Sequence, residues 1–468
     1  MSFKKYYIIE TEAIKDFKEY ISKNPLLKKA TEIIEILSKH GKAYIVGGAV
    51  RDIVLGKEPD DIDIATNVPM DKIEDLFPSH DIGKNKDFGI VVIEYKDENF
   101  EIAQFRKDGT YTDGRRPDSV KIVPDFKDDA ARRDFTINAM AIDPEGNIID
   151  YFDGLKDIKD KVLRTVGNPS ERFGEDHLRM LRAIRFATRL GFALDPETKQ
   201  AIKTGSQNIN NIAAERIQKE LVKMAEQEGS KFADAIVELD DTGLLQHILP
   251  EIVKLKEFKH NVAHHPEGGV WDHTIAALRV NKVKDPIINL SVLLHDIGKQ
   301  KTLTQDSKGE HYFGHAEEAK EFIEQIAERL KLDTKTKEAL LFAAMNHMKI
   351  HDFLELSNST VIKLMDSPYW EVLKATAEAD EKARGEIFDE KEWAQITARI
   401  NKMADGAADR KHIEAVKKVV NGKWVMELKK IKPGPEVGKI IVKTVEWIQN
   451  NDVDITDTNK IKEYILSL

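Results

Sequence analysis

The chain of 468 residues contains no cysteine, so disulfide bonds and thiolate metal sites are excluded. It also lacks an apolar stretch approaching the roughly 20 residues of a membrane-spanning helix. Positive charge is not in excess, because 72 Lys and Arg residues face 82 Asp and Glu residues and give a net charge of −10. These absences argue against a disulfide-stapled secreted domain, a membrane-spanning protein and a protein that binds nucleic acid by overall charge alone.

The composition is typical of a globular protein, with 41% hydrophobic and 33% charged residues. At about 150 residues per domain, the length predicts roughly three domains. The first residues, MSFKKYYIIETEAIKDF, contain neither an apolar core nor a small-residue cleavage site. We therefore expect an unprocessed protein of the reducing cytoplasm that is not attached to a membrane.

The spacing of apolar residues changes near residue 155. Before this point, LLKKATEIIEIL predicts a helix, AYIVGG predicts a strand, and GIVVIEY and FEIAQFR flank KDEN as a hairpin. After it, helical spacing dominates, as in DHLRMLRAIRFATRL and AAERIQKELVKMA. The sequence predicts an α+β protein, with a mixed sheet and helices over residues 1–155 and all-helical segments over 156–228, 229–385 and 386–468.

The segment YIVGGAVRDIVLGKEPDDIDIATN has two features that suit phosphate chemistry. Gly47 and Gly48 lie between a strand and a helix, where backbone N–H groups can approach a phosphate closely. Asp61 and Asp63 are two residues apart in a predicted strand, so their carboxylates share a face and repel each other unless a cation lies between them. Such oxygen ligands suit Mg²⁺ with substrate phosphates; the alternative is a solvated strand edge.

A third acid is expected from a neighbouring strand, and the predicted hairpin offers Glu94 and Glu101. Glu101 shares its strand face with Ala103 and Phe105, which is unusual for a merely solvated glutamate. We therefore predict that Glu101 completes the acidic site.

Ordered motifs between residues 44 and 221 resemble tRNA nucleotidyltransferases of the bacterial and eukaryotic type: GGAVRD, DDIDIAT, FRKDGTYTDGRRPDSV, ARRDFTINAMAID, GEDHLRMLRAIRFATRLGF and AAERIQKEL. The resemblance implies a polymerase-beta-like nucleotidyltransferase head followed by a helical neck, body and tail. It also implies template-independent addition of CCA to a tRNA, with CTP and ATP as substrates. Related poly(A) polymerases share these motifs but usually carry an Arg-Arg-Phe-type signature where this chain has KDFGIVVIEY, which favours CCA addition.

The resemblance implies roles for individual residues of the head. Asp61 and Asp63 would hold two Mg²⁺ ions, with Glu101 as the third acid. The stretch from 108 to 117 has neither helix nor strand spacing and corresponds to a flexible loop that assists the family's switch from C to A addition. The implied contacts with nucleotide phosphates and ribose are Gly47, Gly48, Arg51, Arg132, Arg133 and Asn138, with a structural role as the alternative for the last three.

The family motif EDxxR places Asp176 and Arg179 at the base-selecting edge of a helix whose acidic first turn is predicted to hold Glu175 and Asp176. Cytosine and adenine both present an amine beside a ring-nitrogen acceptor, whereas uracil and guanine present a carbonyl there. A carboxylate and a guanidinium therefore select C and A without a nucleic-acid template. Arg182 and Arg185 extend the cationic helix face as further nucleotide contacts. The alternative is an ordinary i,i+3 salt bridge between Asp176 and Arg179.

Downstream, GVWDHT, LLHDIGK and AEADEKARG resemble the H…HD…D signature of HD-type metallophosphohydrolases. The resemblance implies metal-dependent hydrolysis of phosphate esters, and the alternative is a vestigial domain that keeps only the fold. Nitrogen and oxygen ligands without thiolate suit Mn²⁺, Mg²⁺, Ni²⁺, Co²⁺ or iron. The implied ligands are His273, His295, Asp296 and Asp380, and His315 and His347 would permit a second metal.

The tail from residue 386 is rich in lysine and in helical spacing, and KPGPEVGKII predicts a Gly-Pro turn into a helix. The family uses its tail to hold the tRNA elbow; an ordinary helix connection is the alternative. Our interpretation is a CCA-adding tRNA nucleotidyltransferase with an HD phosphohydrolase domain. The rival interpretations are a poly(A) polymerase, and a phosphohydrolase for nucleotides or cyclic phosphates whose head only binds nucleotide.

Overall fold

Short strands build a mixed sheet in the amino-terminal part of the chain. The computed structural model describes residues 20–21, 23–80, 88–111, 114, 117–258, 268–306, 309–450 and 453–468. The strands of this part are β1 (Ala43–Val46), β2 (Asp63–Thr66), β3 (Ser79–His80), β4 (Ile90–Tyr95), β5 (Glu98–Gln104), β6 (Arg106–Asp108), β7 (Val120–Ile122), β8 (Ala141–Ile142) and β9 (Ile148–Ile149). Seven of them form one sheet in the order β3-β4-β5-β2-β1-β8-β9, and β6 pairs with β7.

The predicted hairpin between β4 and β5 is confirmed. Tyr95 pairs with Glu98, and the intervening Lys96 and Asp97 have φ angles of 50° and 64°. Two consecutive residues with positive φ match the twist of antiparallel strands, so the tight turn sets the register of the whole hairpin. This register determines that Glu101 and Ala103 share the face opposite the buried Ile102.

The strand that carries the paired aspartates is shorter than predicted. Strand β2 begins at Asp63, and Asp61 lies in the bend that precedes it. Because β2 runs parallel to β5 with Ile64 opposite Ile102, Asp63 and Glu101 are neighbours on adjacent strands. The sheet, and not the i,i+2 spacing alone, brings the acids together.

Helices surround the sheet and form most of the remaining chain. Asn24 caps the first helix by accepting a hydrogen bond from the Leu27 backbone N–H, and Pro25 occupies its first turn, as a helix start requires. The helices up to residue 254 are α1 (Pro25–Leu37), α2 (Gly48–Val54), α3 (Met70–Leu76), α4 (Phe126–Ala131), α5 (Gly154–Asp160), α6 (Pro169–Glu175), α7 (Leu178–Leu190), α8 (Pro196–Gly205), α9 (Ala214–Ala225), α10 (Gly229–Asp241), α11 (Leu245–Ile248) and α12 (Pro250–Lys254).

The later helices continue to the carboxyl end of the described chain. They are α13 (Val270–Val280), α14 (Pro286–Leu294), α15 (Lys299–Thr302), α16 (His315–Arg329), α17 (Thr334–Asn346), α18 (Met348–His351), α19 (Asn358–Met365), α20 (Trp370–Ala383), α21 (Glu390–Val419), α22 (Gly422–Lys429), α23 (Pro435–Asn450) and α24 (Thr458–Ser467). Among the described residues, none of these helices combines the length and apolarity needed to cross a membrane.

The expectation that everything after the head is helical is wrong in two places. Strands β10 (Val162–Leu163) and β11 (Ala193–Leu194) pair in parallel, and β12 (Thr304–Asp306) and β13 (Gly309–His311) form an antiparallel pair. Two or three residues per strand are too few to produce a visible alternation of apolar and polar residues. The small sheets therefore escaped detection in the sequence.

The chain divides into two compact units. The first comprises Met1–Met348 and Glu371–Ile387, and the second comprises Lys349–Trp370 and Phe388–Leu468. One apolar core in the first unit includes Leu27 of α1, Leu181 of α7 and Ala379 of α20. A separate core in the second unit is built by residues such as Val425, Ile448 and Ile461. The division at residues 155, 228 and 385 stays a prediction.

Candidate active site

A cavity of about 640 Å³ lies between the sheet and helix α7, and we call it the head pocket. The structure places every predicted head and neck site residue on its wall. These are Gly47, Gly48, Arg51, Asp61, Asp63, Glu101, Arg132, Arg133, Asn138, Asp176, Arg179, Arg182 and Arg185. Residues that are up to 138 positions apart in the sequence thus surround one space.

Three acids form one side of the head pocket, where β2 begins beside the middle of β5. Partial desolvation in the pocket, and then the charge of Asp61, raise the pKa of Asp63. The pKa of Glu101 is raised for the same reasons, with Asp63 as its main charged neighbour. Desolvation is the larger cause of both shifts and repulsion between the acids is the second. A divalent cation among these oxygen atoms would offset both effects.

The turn before α2 depends on glycine. Gly47 has φ 76° and ψ −133°, a conformation that residues with a Cβ atom rarely adopt. A Cβ atom at this position would lie 3.0 Å from Nη1 of Arg133 and 3.8 Å from Oδ2 of Asp63. The bare backbone therefore leaves room between an arginine and an acid, where a phosphate group could approach.

A buried aspartate that the sequence analysis missed orients the two consecutive arginines. Asp129 binds Arg132 at 2.8 Å and Arg133 at 3.1 Å through separate carboxylate oxygens. Burial alone would raise the pKa of Asp129, but Arg133 and Arg132 outweigh this effect and lower it. The arginines are paired, as the structural alternative expects, and both also line the pocket, so their role stays a prediction.

Asn138 links helix α2 to helix α7 through Asp134. Its Oδ1 accepts a hydrogen bond from Arg51 at 2.7 Å, and its Nδ2 donates one to Asp134 at 3.2 Å. Asp134 also accepts two hydrogen bonds from Arg182, at 2.9 and 2.5 Å. Asp134 was within the ARRDFTIN motif but received no role from the sequence.

The helix boundary at the base-selecting edge differs from the prediction. Helix α6 ends at Glu175, Asp176 has an extended φ of −141°, and α7 begins only at Leu178. Oδ1 of Asp176 accepts a hydrogen bond from the backbone N–H of Leu178. Asp176 therefore lies at a break between two helices and not in an acidic first turn.

Asp176 and Arg179 do not form the i,i+3 pair considered as an alternative. Arg179 pairs with Glu175 and donates a hydrogen bond to the Arg132 carbonyl at 3.2 Å. Asp176 instead accepts a hydrogen bond from Nη2 of Arg216, on α9, at 3.1 Å. Arg216 was missed; its signal lay in the quoted AAERIQKEL motif, and its buried Nη1 has no hydrogen-bond partner in the structure.

Arg185 departs from the predicted cationic surface because it is buried. Its Nε donates a hydrogen bond to the buried Glu220 of α9 at 2.6 Å, which compensates the desolvated charge. The predicted apolar stripe of α7 is confirmed, since Leu178, Leu181 and Ile184 are all buried. Arg185 thus connects helices α7 and α9, and it also contributes to the pocket wall.

The stretch from 108 to 117 begins with more order than the sequence suggested. Asp108 belongs to β6 and pairs with Val120 of β7. The Asp118 backbone N–H donates to the Thr110 carbonyl at 2.8 Å and extends this hairpin. Residues 112, 113, 115 and 116 lie outside the described part of the chain. The sequence shows no alternation of apolar and polar residues here because each of the two paired strands is only three residues long.

A second cluster of titratable groups, the HD cluster, lies deep among the helices of the first unit. Its members are at most 7% exposed. They form two groups of three whose potential ligand atoms lie within 4.8 Å of one another: His273, His295 and Asp380, and Asp296, His315 and His347. All six predicted HD residues are therefore brought together, including the two proposed for a second metal.

The imidazole rings are held so that Nε2 faces the cluster. The Nδ1 atoms of His295, His315 and His347 lie 2.7 to 2.9 Å from backbone carbonyls, which fits an Nδ1–H donor and leaves the Nε2 lone pair free. Nε2 of His295 is buried without a hydrogen-bond partner, and those of His315 and His347 are only 3.2 Å apart. Such an arrangement of lone pairs fits a bound cation.

The pKa values agree with this arrangement. Burial lowers the pKa of His347 to about 3 and also lowers that of His315, so both rings are neutral near pH 7. Burial would raise the pKa of Asp296, but Lys299 and His295 outweigh it, and the pKa lies well below its usual range. Neutral imidazole and ionised carboxylate are the forms that bind metal ions.

Two parts of the chain match known family models. Residues 43–164 match the poly A polymerase head domain, and residues 191–255 match the probable RNA and SrmB-binding site of polymerase A. A CCA-adding enzyme of Bacillus licheniformis is 43% identical over 225 residues, which are 48% of this chain and 56% of that protein. One of Lactobacillus johnsonii is 40% identical over 266 residues, 55% of this chain and 65% of that protein. The matches thus span between about half and two thirds of these relatives' length.

The similarity extends to solved structures. The crystal structure of the Bacillus stearothermophilus CCA-adding enzyme in complex with CTP matches 95% of this chain and 98% of that chain, with a TM-score of 0.62 and 27% identity. The family resemblance and the α+β fold inferred from the sequence are confirmed. Enzymes with this type of head use divalent metals. The head pocket provides carboxylates and the HD cluster provides imidazoles and carboxylates, which are groups that can bind such metals.

Proposed function

We propose that this chain, whose residues 43–164 form a poly A polymerase-type head, is a template-independent tRNA nucleotidyltransferase that adds CCA to the tRNA 3′ end from CTP and ATP. The observation that carries the proposal is the composition of the head pocket. It combines three acids with an arginine-rich wall and with the Asp176–Arg179 edge in one space of about 640 Å³. This volume is within the range of about 300 to 1,000 Å³ that is typical of small-molecule and cofactor sites.

The acids and the glycine turn would perform the transfer. Asp61, Asp63 and Glu101 fit two Mg²⁺ ions, which when bound would activate the attacking 3′-hydroxyl and stabilise the leaving pyrophosphate. The backbone of Gly47 and Gly48, with Arg51, would bind the triphosphate. Arg132 and Arg133, fixed by Asp129, would supply further contacts with phosphate or ribose.

Asp176 and Arg179 would select the base. The Asp176 carboxylate would accept a hydrogen bond from the amine of C or A, and Arg179 would donate one to the neighbouring ring nitrogen. Arg216, which also lines the pocket, fixes the carboxylate, and Glu175 fixes the guanidinium. In U or G, a carbonyl oxygen would face the Asp176 carboxylate, and neither group could donate a hydrogen bond to the other. Two buried acceptors would then be left unpaired, which discriminates strongly against both bases.

The experiment that tests this function uses a tRNA transcript lacking its terminal CCA and each labelled nucleotide alone or in combination. We expect two cytidines and then one adenosine to be added, with UTP and GTP unused. Long adenosine tails from ATP alone would instead favour the poly(A) polymerase alternative. No incorporation with active tRNA substrate and Mg²⁺ would contradict nucleotidyl transfer.

A second function is favoured by the HD cluster. We propose that residues 229–385 hydrolyse phosphate esters of nucleotides with Mn²⁺, Mg²⁺, Ni²⁺ or Co²⁺ as the metal. The buried convergence of four imidazoles and two carboxylates supports this proposal, because these groups bind metal ions and their burial needs compensation. Release of phosphate or ring opening of 2′,3′-cyclic nucleotides, measured with each metal, tests it.

The remaining assignments follow from these functions. We propose residues 1–155 as catalytic head, 156–228 as neck, and 386–468 as a tail that contacts tRNA, with the segment around Gly434 as a phosphate contact. The turn there leads into helix α23, as the sequence predicted. A tRNA substrate also fits the cytoplasmic location expected for a cysteine-free chain. A truncated tRNA that lacks the elbow and binds as tightly as the full molecule would contradict the role of the tail.

A further inference from the structure

Three arginines of the head pocket converge on one aromatic ring that the sequence analysis did not single out. The guanidinium carbons of Arg185, Arg51 and Arg182 lie 4.3, 5.2 and 5.4 Å from the ring centre of Phe186. Phe186 is 7% exposed and lines the pocket. A guanidinium over an aromatic face within about 6 Å is attracted to it, so this ring contributes more than apolar volume.

We propose that Phe186 is a positioning residue that orients these arginines for nucleotide binding; the inference rests on the nucleotidyltransferase function proposed above. Arg51 belongs to the glycine turn and α2, where the triphosphate would bind. Arg182 and Arg185 belong to α7, which carries Arg179. The ring is therefore a shared contact between the phosphate side and the base side of the pocket.

Each of the three guanidinium groups is already fixed along one edge by its own acid. Arg51 pairs with Asp52 at 2.8 Å and also donates to Asn138 at 2.7 Å, Arg182 pairs with Asp134 at 2.5 Å, and Arg185 pairs with Glu220 at 2.6 Å. These partners act along the edges of the planar groups and leave part of the restraint on their tilt to other contacts. Contact with Phe186 restrains the tilt, and the N–H groups that the acids do not use can then be directed to a bound nucleotide.

A neighbouring phenylalanine provides a matched control. Phe135 is fully buried, and its ring meets that of Phe186 edge-on at 5.8 Å and 73°. Within the described chain, no Lys or Arg lies over the Phe135 ring. Shortening Phe135 therefore disturbs the same core without removing an arginine contact.

The experiment compares the wild type with Phe186→Leu, Phe186→Met, Phe186→Tyr and Phe135→Leu. The binding of CTP and ATP with Mg²⁺ is measured by equilibrium dialysis, and single-nucleotide addition gives KM and kcat separately. We expect Phe186→Leu and Phe186→Met to weaken nucleotide binding about five- to thirty-fold, with the change mainly in KM. Phe186→Tyr should recover most of the affinity because it keeps the aromatic face. Phe135→Leu should lower the melting temperature with less than about threefold loss of affinity.

Equal affinity losses in the Phe186→Leu and Phe135→Leu proteins would overturn the inference, since both would then act through the core. If Phe186→Leu does not fold, Phe186→Met against Phe186→Tyr gives the same comparison. Wild-type protein that binds CTP and ATP but extends no tRNA would refute CCA addition alone, and the binding series would still decide the role of Phe186. Wild-type protein that binds neither nucleotide would overturn both.

Discussion

The head pocket and the HD cluster both concentrate ionisable groups, but they differ in solvent exposure and in the direction of their pKa shifts. The acids of the head pocket are exposed to a wide cavity and have raised pKa values at Asp63 and Glu101. The HD cluster is almost inaccessible to solvent, and its imidazoles have lowered pKa values at His315 and His347. The open site leaves its charge for cations and substrate to balance, whereas the closed site limits its charge by keeping His315 and His347 neutral.

This difference indicates what each site is built to hold. An open pocket with acids on one side and arginines on the other accommodates a large, multiply charged ligand that arrives with its own counterions. A buried set of neutral nitrogens and ionised carboxylates is preorganised for a metal ion. The two proposed activities should therefore respond independently to mutation.

The largest effect should come from the acids of the head pocket. Asp61→Ala and Asp63→Ala should each reduce nucleotide addition by at least about 1,000-fold, because a metal clamp supplies several kcal/mol of transition-state stabilisation. Hydrolysis at the HD cluster should remain at wild-type level in the same protein preparations. Near-normal incorporation by either variant, followed with labelled CTP on a tRNA lacking CCA, would contradict the assignment of the acids.

The second prediction concerns substitutions in the HD cluster. His295→Ala and Asp296→Ala should lose about 100-fold or more of the metal-dependent hydrolysis and should bind less metal by elemental analysis. Addition of CCA should change by no more than about threefold, because the head pocket keeps its own ligands. His247→Ala, outside the cluster, serves as the matched control. If the wild type hydrolyses no nucleotide ester with any of the four metals, the vestigial interpretation is correct.

Changes at the break between α6 and α7 should alter base selection, and they should lower the rate of addition less than changes to the head-pocket acids do. Asp176→Ala should lower the use of CTP and ATP by about 10- to 100-fold and narrow their advantage over UTP, since each unpaired buried group costs about 1 to 3 kcal/mol. Arg179→Ala should weaken both correct nucleotides. Single-nucleotide addition with each of the four nucleotides measures the preference for CTP and ATP over UTP and GTP. An unchanged preference for C and A in both variants would show that these side chains are structural.

The smallest effect is expected at Arg216. Arg216→Ala removes the guanidinium that restrains Asp176 but leaves the carboxylate itself, so we expect roughly three- to tenfold lower selectivity against UTP. Arg216→Lys should restore part of this selectivity because one donor remains. The ratio of kcat/KM for CTP and UTP is the relevant measurement. Equal ratios in wild type and Arg216→Ala would indicate that Asp176 is fixed without help from α9.

Much of the chemistry was accessible from local sequence patterns. The glycine pair, the paired aspartates and the adjacent His295 and Asp296 are encoded within a few residues each, and the structure places them where the motifs suggested. The α6–α7 break was not accessible, because Glu175 and Asp176 fit an acidic first turn equally well. A hydrogen bond from the Leu178 N–H to the Asp176 carboxylate marks the break instead.

The sequence by itself determined the longer helices and strands, their apolar faces and the residue types available for each site, because helical and strand spacing act over only a few residues. Only the tertiary structure decided which side chains form hydrogen bonds with one another. Arg182 binds Asp134 across 48 positions, Arg216 binds Asp176 across 40, and Asp380 reaches His273 across 107. Such pairs form because a charge or lone pair buried by packing must be compensated by whatever group the fold brings within reach. That compensation depends on how helices pack, which no local pattern records.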